Sequence, residues 1–106
     1  MKFIIETNLA SKPAWSLLDD EDRVLVWAGR TFPTLAYADQ AAHDFRVNSD
    51  DPDYRVHAPA GGRWQWTAWR SEGIRVAVSA DWFPTEATAR EAARRVQLQA
   101  GTAIGP

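Results

Sequence analysis

The sequence has no cysteine, one methionine and only two histidines in 106 residues. Without cysteine there is no disulfide framework, no thiolate nucleophile and no thiolate metal site. A reducing compartment fits that composition. The histidines, His43 and His57, lack His-x-x-x-His spacing, so a histidine metal site has no partners at fitting positions. Long apolar runs are missing as well. Phe3-Ile4-Ile5 follows a lone Lys2 and stops at Glu6, which is too short for a signal peptide or a membrane span. No membrane partner is expected, and the chain reads as soluble and cytoplasmic.

Catalytic signatures are equally scarce. Ser11, Ser16, Ser71 and Ser79 have no Gly-x-Ser-x-Gly context, so a hydrolase elbow is not supported. Gly61-Gly62 is not followed by a helix or by Lys-Ser/Thr, so a phosphate loop is not supported. Asp19-Asp20-Glu21-Asp22 lacks the alternating ligands and glycine of a calcium loop and reads as a solvated turn. The expectation is a chain that is not an enzyme and needs no cofactor. Net charge is small, at −2, but uneven. Residues 1–51 hold five Lys/Arg against nine Asp/Glu, and residues 52–106 hold seven against five. The second half is the one that would suit a polyanion.

What the chain does have is tryptophan, six copies, and an internal echo. Phe32-Pro33-Thr34-Leu35-Ala36-Tyr37-Ala38-Asp39-Gln40-Ala41-Ala42 returns as Phe83-Pro84-Thr85-Glu86-Ala87-Thr88-Ala89-Arg90-Glu91-Ala92-Ala93, identical at seven of eleven positions with an offset of 51. The same offset matches Phe3 to Tyr54, Trp15 to Trp66 and Leu25 to Val76 without a gap. A fixed period of this size marks a structural repeat. Residues 1–51 form one unit and 52–106 the other. The joint Asn48-Ser49-Asp50-Asp51-Pro52 is short, and each unit alone has too little core, so the two share one domain of 1–106.

Each unit reads as three strands and a helix. In the first, Phe3 to Asn8, Ala14 to Leu18 and Arg23 to Ala28 suit strands, with turns at Leu9–Pro13 and Asp19–Asp22. Thr34 caps a helix to about Val47, since its hydroxyl can take a first-turn N–H that has no partner within the helix. Leu35, Ala38, Ala42 and Phe45 form its apolar stripe. In the second, Asp53 to Ala58, Arg63 to Arg70 and Ile74 to Ala80 are strands, and Thr85 caps a helix to about Ala100. Ala89, Ala92 or Ala93, Val96 and Ala100 would face inward there. Gly101 to Pro106 is a tail or a short final strand.

This plan resembles the YegP-like family. The strand-two tryptophans Trp15 and Trp66 and the hydroxyl caps Thr34 and Thr85 before Ala-x-Ala carry the resemblance. It implies an α+β fold: two tandem β-β-β-α(-β) repeats forming one antiparallel sheet, with both helices packed on one face. It also implies that the segments after the helices, Arg46-Val47-Asn48 and Gln97-Leu98-Gln99, cross to pair with the other repeat. The first unit departs from the family pattern in having no glycine in either hairpin. The resemblance brings no activity, substrate or catalytic residue.

Period-two alternation then assigns faces. Phe3, Ile5, Trp15, Leu17, Leu25 and Trp27 are expected inside, with Tyr54, Val56, Trp64, Trp66, Ala68, Ile74, Val76 and Val78. The open face is left with an apolar half, Ile4, Leu18, Val24 and Val26, beside Glu6 and Ser16. Its basic half carries Arg55, His57, Arg63, Gln65, Trp69 and Arg75, beside Thr67. The apolar half is a candidate surface for a second copy of the chain or another protein. The basic half, with Trp69 among three arginines, suits stacking on single-stranded nucleic acid. The alternative is a small-ligand protein or small enzyme with a pocket at the helix starts near Trp82, Arg30 and Asp81.

Overall fold

The computed structural model describes residues 1–7 and 11–106, with Ala60 by its backbone alone. The expected strand end at Asn8 and the turn residues Leu9 and Ala10 lie outside the described residues. In chain order the elements are β1 (Lys2–Thr7), β2 (Pro13–Leu18), β3 (Val24–Trp27), α1 (Leu35–Val47), β4 (Asp53–Ala60), β5 (Arg63–Trp69), β6 (Arg75–Ser79) and α2 (Glu86–Gln99). A single 3-10 turn, Ala100–Thr102, follows α2.

The strands make one six-stranded antiparallel sheet in the order β1-β2-β3-β6-β5-β4. β1 pairs with β2 and β2 with β3, and β4 pairs with β5 and β5 with β6 in the same way. The middle of the sheet is the β3–β6 contact, where Trp27 pairs with Val78. Those two residues are 51 apart in sequence. Other pairings coincide at that offset. Phe3↔Leu17 corresponds to Tyr54↔Ala68, and Ile5↔Trp15 to Val56↔Trp66. Leu17↔Val26 corresponds to Ala68↔Ala77.

Both hairpins that lead into the central strands carry a bulge. Leu18 pairs with Val24 and Leu17 with Val26, so Leu25 is extra. Trp69 pairs with Arg75 and Ala68 with Ala77, so Val76 is extra. An extra residue breaks the alternation of sides. Leu25 and Val26 both pack on the core, as do Val76 and Ala77. This corrects three assignments. Val26, expected on the open face, is fully buried, while Trp27 and Val78, expected inside, fall on the other side of the sheet.

The helices begin where their caps predict. Thr34 Oγ1 accepts from Tyr37 N–H at 3.2 Å, and Thr85 Oγ1 from Thr88 N–H at 3.1 Å. Thr88 Oγ1 in turn accepts from Thr85 N–H, closing a reciprocal cap. Alanine at Ala38, Ala42, Ala89 and Ala93 lets each helix sit close to the strands. Phe45 and Val96 complete the two stripes. Leu35, expected on the first stripe, is 55% exposed, and Ala93 rather than Ala92 is the fully buried alanine. α1 packs on β1 and β2, α2 on β4 and β5.

One core cluster joins Phe3, Trp15, Leu17 and Val26 to Trp66, Ala68 and Ala77. Trp15 stacks on Phe45 at 5.0 Å and meets Phe3 edge-on at 5.5 Å, whereas Trp66 has Tyr54 at 5.6 Å. Burying an indole of this size removes roughly 150–250 Å² from water, about 4–6 kcal/mol for each tryptophan before entropy is counted. Burial also pushes the Tyr54 hydroxyl well above its ordinary pKa, and it donates to the Ser49 carbonyl. Two further expectations change. Ile74 is 48% exposed, and Trp64 is half-buried outside the main cluster, paired with Phe83.

The crossing segments differ from those the resemblance implies. Arg46 and Val47 belong to α1, Asn48 is its C-cap, and Gln97–Gln99 belong to α2. Instead Ile104 makes a parallel bridge to Lys2, with Phe3 N–H donating to its carbonyl at 2.7 Å. The tail therefore lies along β1, and Arg46 Nε holds its end at the Pro106 carbonyl, 2.8 Å away.

Candidate docking face and clefts

Cross-strand pairs define one row on each side of the sheet. On the core side the row includes Phe3, Leu17, Val26 and Ser79. On the second side a row crosses all six strands: Ile4, Ser16, Trp27, Val78, Thr67 and Arg55. Leu18 and Val24 pair beside it. The apolar half of this face is therefore Ile4, Leu18, Val24, Trp27 and Val78. Leu18 and Val78 are shielded by their neighbours to 7% and 8% exposure, so Ile4, Val24 and Trp27 offer most of the accessible surface.

The basic half is less open than its composition suggests. The Trp69 indole N–H donates to Thr67 Oγ1 at 2.8 Å, and the Arg55 guanidinium lies 5.3 Å from the ring centre. Arg55 Nε also pairs with Asp53 at 2.8 Å. Arg75 donates to the Gly29 carbonyl at 3.0 Å. Gly29 has φ +77°, and a Cβ there would sit 2.6 Å from the Val78 side chain and 3.3 Å from Arg75 Nε. Only glycine lets that arginine lie across the sheet. His57 and Gln65 pair in register. Arg63 turns away to stack on Trp82 at 5.3 Å. The structure thus brings Arg55 and Trp69 together and separates Arg63 from them.

The single pocket expected near Trp82, Arg30 and Asp81 is divided. Arg30 lines a cleft of about 180 Å³, and Asp81 lines another of about 240 Å³. Trp82 lines neither. Arg30 and Asp81 are themselves 51 residues apart. The first cleft has Trp15, Phe32 and Phe45 along its floor and the Arg70–Val76 segment at its side. The second has Trp66, Phe83 and Val96, with Asp19, Arg23 and Leu25 opposite. Each cleft therefore combines the second strand and helix of one half with the last hairpin of the other. A larger groove of about 730 Å³ adjoins the first cleft and shares Asp44, Phe45, Arg70 and Val76 with it.

Asp19 is held in place by its own turn. Its carboxylate accepts from the backbone N–H groups of Arg23 at 3.0 Å and Glu21 at 2.8 Å, which hold it below the usual carboxylate range. Arg23 Nε adds a contact at 3.4 Å. These bonds use the carboxylate to close the turn, with Asp19 buried rather than solvated as expected. Among the described residues no group of His, Asp and Glu is placed to hold a metal ion. No described helix is long and apolar enough to cross a membrane.

Bulge geometry is what the sequence reasoning missed at this site. Trp27 belongs to the second face and Val26 to the core, because an inserted residue precedes each. The signal, a one-residue slip inside a four-residue strand, has no counterpart in apolar periodicity.

No protein-family model matches the chain, and no curated protein matches it. Two solved structures do. One is yegP from E. coli, a protein of unknown function, at 9% sequence identity and a TM-score of 0.75, over 97% of this chain and 88% of that one. The other is the UPF0339 protein SO3888 from Shewanella oneidensis, at 9% identity and a TM-score of 0.76, over 98% and 88%. At that identity the likeness is one of backbone plan, and the chain shares the fold of the YegP (UPF0339) proteins.

Proposed function

We propose that this chain is a non-enzymatic interaction module built from two tandem β-β-β-α units, with both helices on one side of the sheet and the opposite side kept for a protein partner. The coincidence of strand pairs at one offset supports the repeat. The shared core cluster, which takes Ala38, Ala42 and Phe45 from α1 and Ala93 and Val96 from α2, supports a common helix side.

One observation carries the docking reading. Ile4, Val24 and Trp27 lie on the face away from the core, where a one-layer sheet is either wet or partnered. The basic half suits nucleic acid less well, because Arg55 already covers one side of Trp69 and is paired with Asp53. The simplest protein partner is a second copy, meeting face to face about a twofold axis.

Sedimentation over a wide concentration range tests this with wild type and Trp27→Glu. A dimer in wild type that is lost in a folded Trp27→Glu variant supports the reading. A monomer at every concentration sets self-docking aside. A salt-sensitive Trp fluorescence quench by single-stranded DNA or RNA, abolished in Trp69→Ala, would move the function to the basic half.

A further inference from the structure

The two clefts have matching walls, but the first is lined by a surplus of arginine and the second by balanced charges. Across the offset of 51, Trp15 stands where Trp66 does, Phe32 where Phe83 does, and Phe45 where Val96 does. The ionic positions invert. Arg30 faces the place of Asp81, Arg70 that of Asp19, and Asp44 that of Arg95. In the second cleft Arg23 and Arg95 balance Asp19 and Asp81, and Asp19 is occupied by its own turn and by Arg23. In the first cleft Asp44 already accepts from Gln40 at 2.9 Å. Arg75 is spent on the Gly29 carbonyl. Arg30 lies over the Phe32 ring at 4.9 Å, and neither it nor Arg70 has an ion pair or hydrogen bond from its side chain among the described residues. Two guanidinium groups with unused donors thus border an apolar floor.

We propose that this cleft binds a small organic acid. Its carboxylate or phosphate group is held by Arg30 and Arg70, and its apolar part lies against the exposed Ile74. Guanidinium suits planar and tetrahedral oxyanions because its N–H donors form a fixed fork. A volume of about 180 Å³ equals the share of about six waters in liquid, so the ligand is small. The adjoining groove leaves room for a longer substituent. The cleft shares Arg75, and the groove Arg55 and Trp69, with the basic half of the sheet face, but neither takes in Ile4, Val24 or Trp27, so this reading and the docking of a second copy can fail independently.

The test is a heteronuclear NMR titration of the intact chain with benzoate, phenyl phosphate, inorganic phosphate and, as a cationic control, benzylammonium. Expected are saturable shifts at Arg30, Phe32, Arg70 and Ile74, with Asp81 and Phe83 silent. Phenyl phosphate should bind more tightly than inorganic phosphate. Arg30→Gln and Arg70→Gln, both at exposed positions, should each weaken binding about tenfold with the folded spectrum retained. Three results would overturn the site: no saturable shift with either organic acid, equal affinity for benzylammonium or inorganic phosphate, or unchanged binding in both folded variants.

Discussion

Several backbone contacts of the two halves coincide at one offset, while the side chains that hang from them differ. Strand pairs, bulges, helix caps and hairpin bonds coincide at a single offset. Asp19 N–H donates to the Arg23 carbonyl as Arg70 N–H does to that of Ile74. Two left-handed turn residues match as well. Ser11 at φ 59° stands where Gly62 has φ 70°, and Asp22 at φ 63° where Gly73 has φ 75°. Yet the second face is more apolar in one half than in the other, and three ionic positions of the clefts are exchanged. A backbone plan tolerates any side chain that meets its local demand: apolar volume at the core row, an oxygen at the cap, positive φ at the turn. Positions with no such demand are free to diverge, and that is where binding surfaces can be built.

The comparison breaks most visibly in the core. Trp15→Ala and Trp66→Ala should each cost about 3–5 kcal/mol in urea unfolding. Trp15 has two aromatic neighbours and Trp66 one. Its loss should therefore be the larger by about 1 kcal/mol. Equal losses would show that the ring pairs add nothing beyond buried area.

Caps come next. Thr34→Ala and Thr85→Ala should each lower stability by about 1 kcal/mol. The Thr85 change should cost more, because Thr88 reciprocates only in the second helix. A larger loss at Thr34 would reverse the ranking.

The turns sharpen the comparison further. Non-glycine residues pay a steric cost in the left-handed region. Replacing Ser11 or Asp22 by the glycine of the other half should raise the unfolding midpoint slightly, by up to about 1 kcal/mol. Ser11→Gly is the cleaner test, since Asp22 also pairs with Lys2 at 2.8 Å. No gain at Ser11 would mean that the extra unfolded-state entropy of glycine cancels the relief.

Much of the fold was legible because local chemistry dictates it. Thr34 and Thr85 cap the two helices as their hydroxyls allow, and the described turns at Asp19–Asp22 and Arg70–Gly73 fall where polar residues and glycine permit them. The faces of β1, β2, β4 and β5 followed from alternation. The central strands did not, because Leu25 and Val76 insert one residue each, and every side chain beyond them changes side. Val26 left the docking face for that reason, and Trp27 and Val78 joined it. The basic residues of the second half could be listed from the sequence, but their arrangement could not. Arg63 could stack on Trp69 or on Trp82, and three-dimensional distance chose Trp82.

By itself the sequence determined the number and order of elements, the helix starts and the residues able to form the core. Those properties depend on neighbours a few positions away. Only the tertiary structure decided that β3 meets β6, that the tail lies along β1 at Ile104, and that a cleft joins Arg30 of one half to Arg70 of the other. Each is a contact between segments distant in the chain, set by how the whole sheet closes around a common core rather than by the local preferences of either partner.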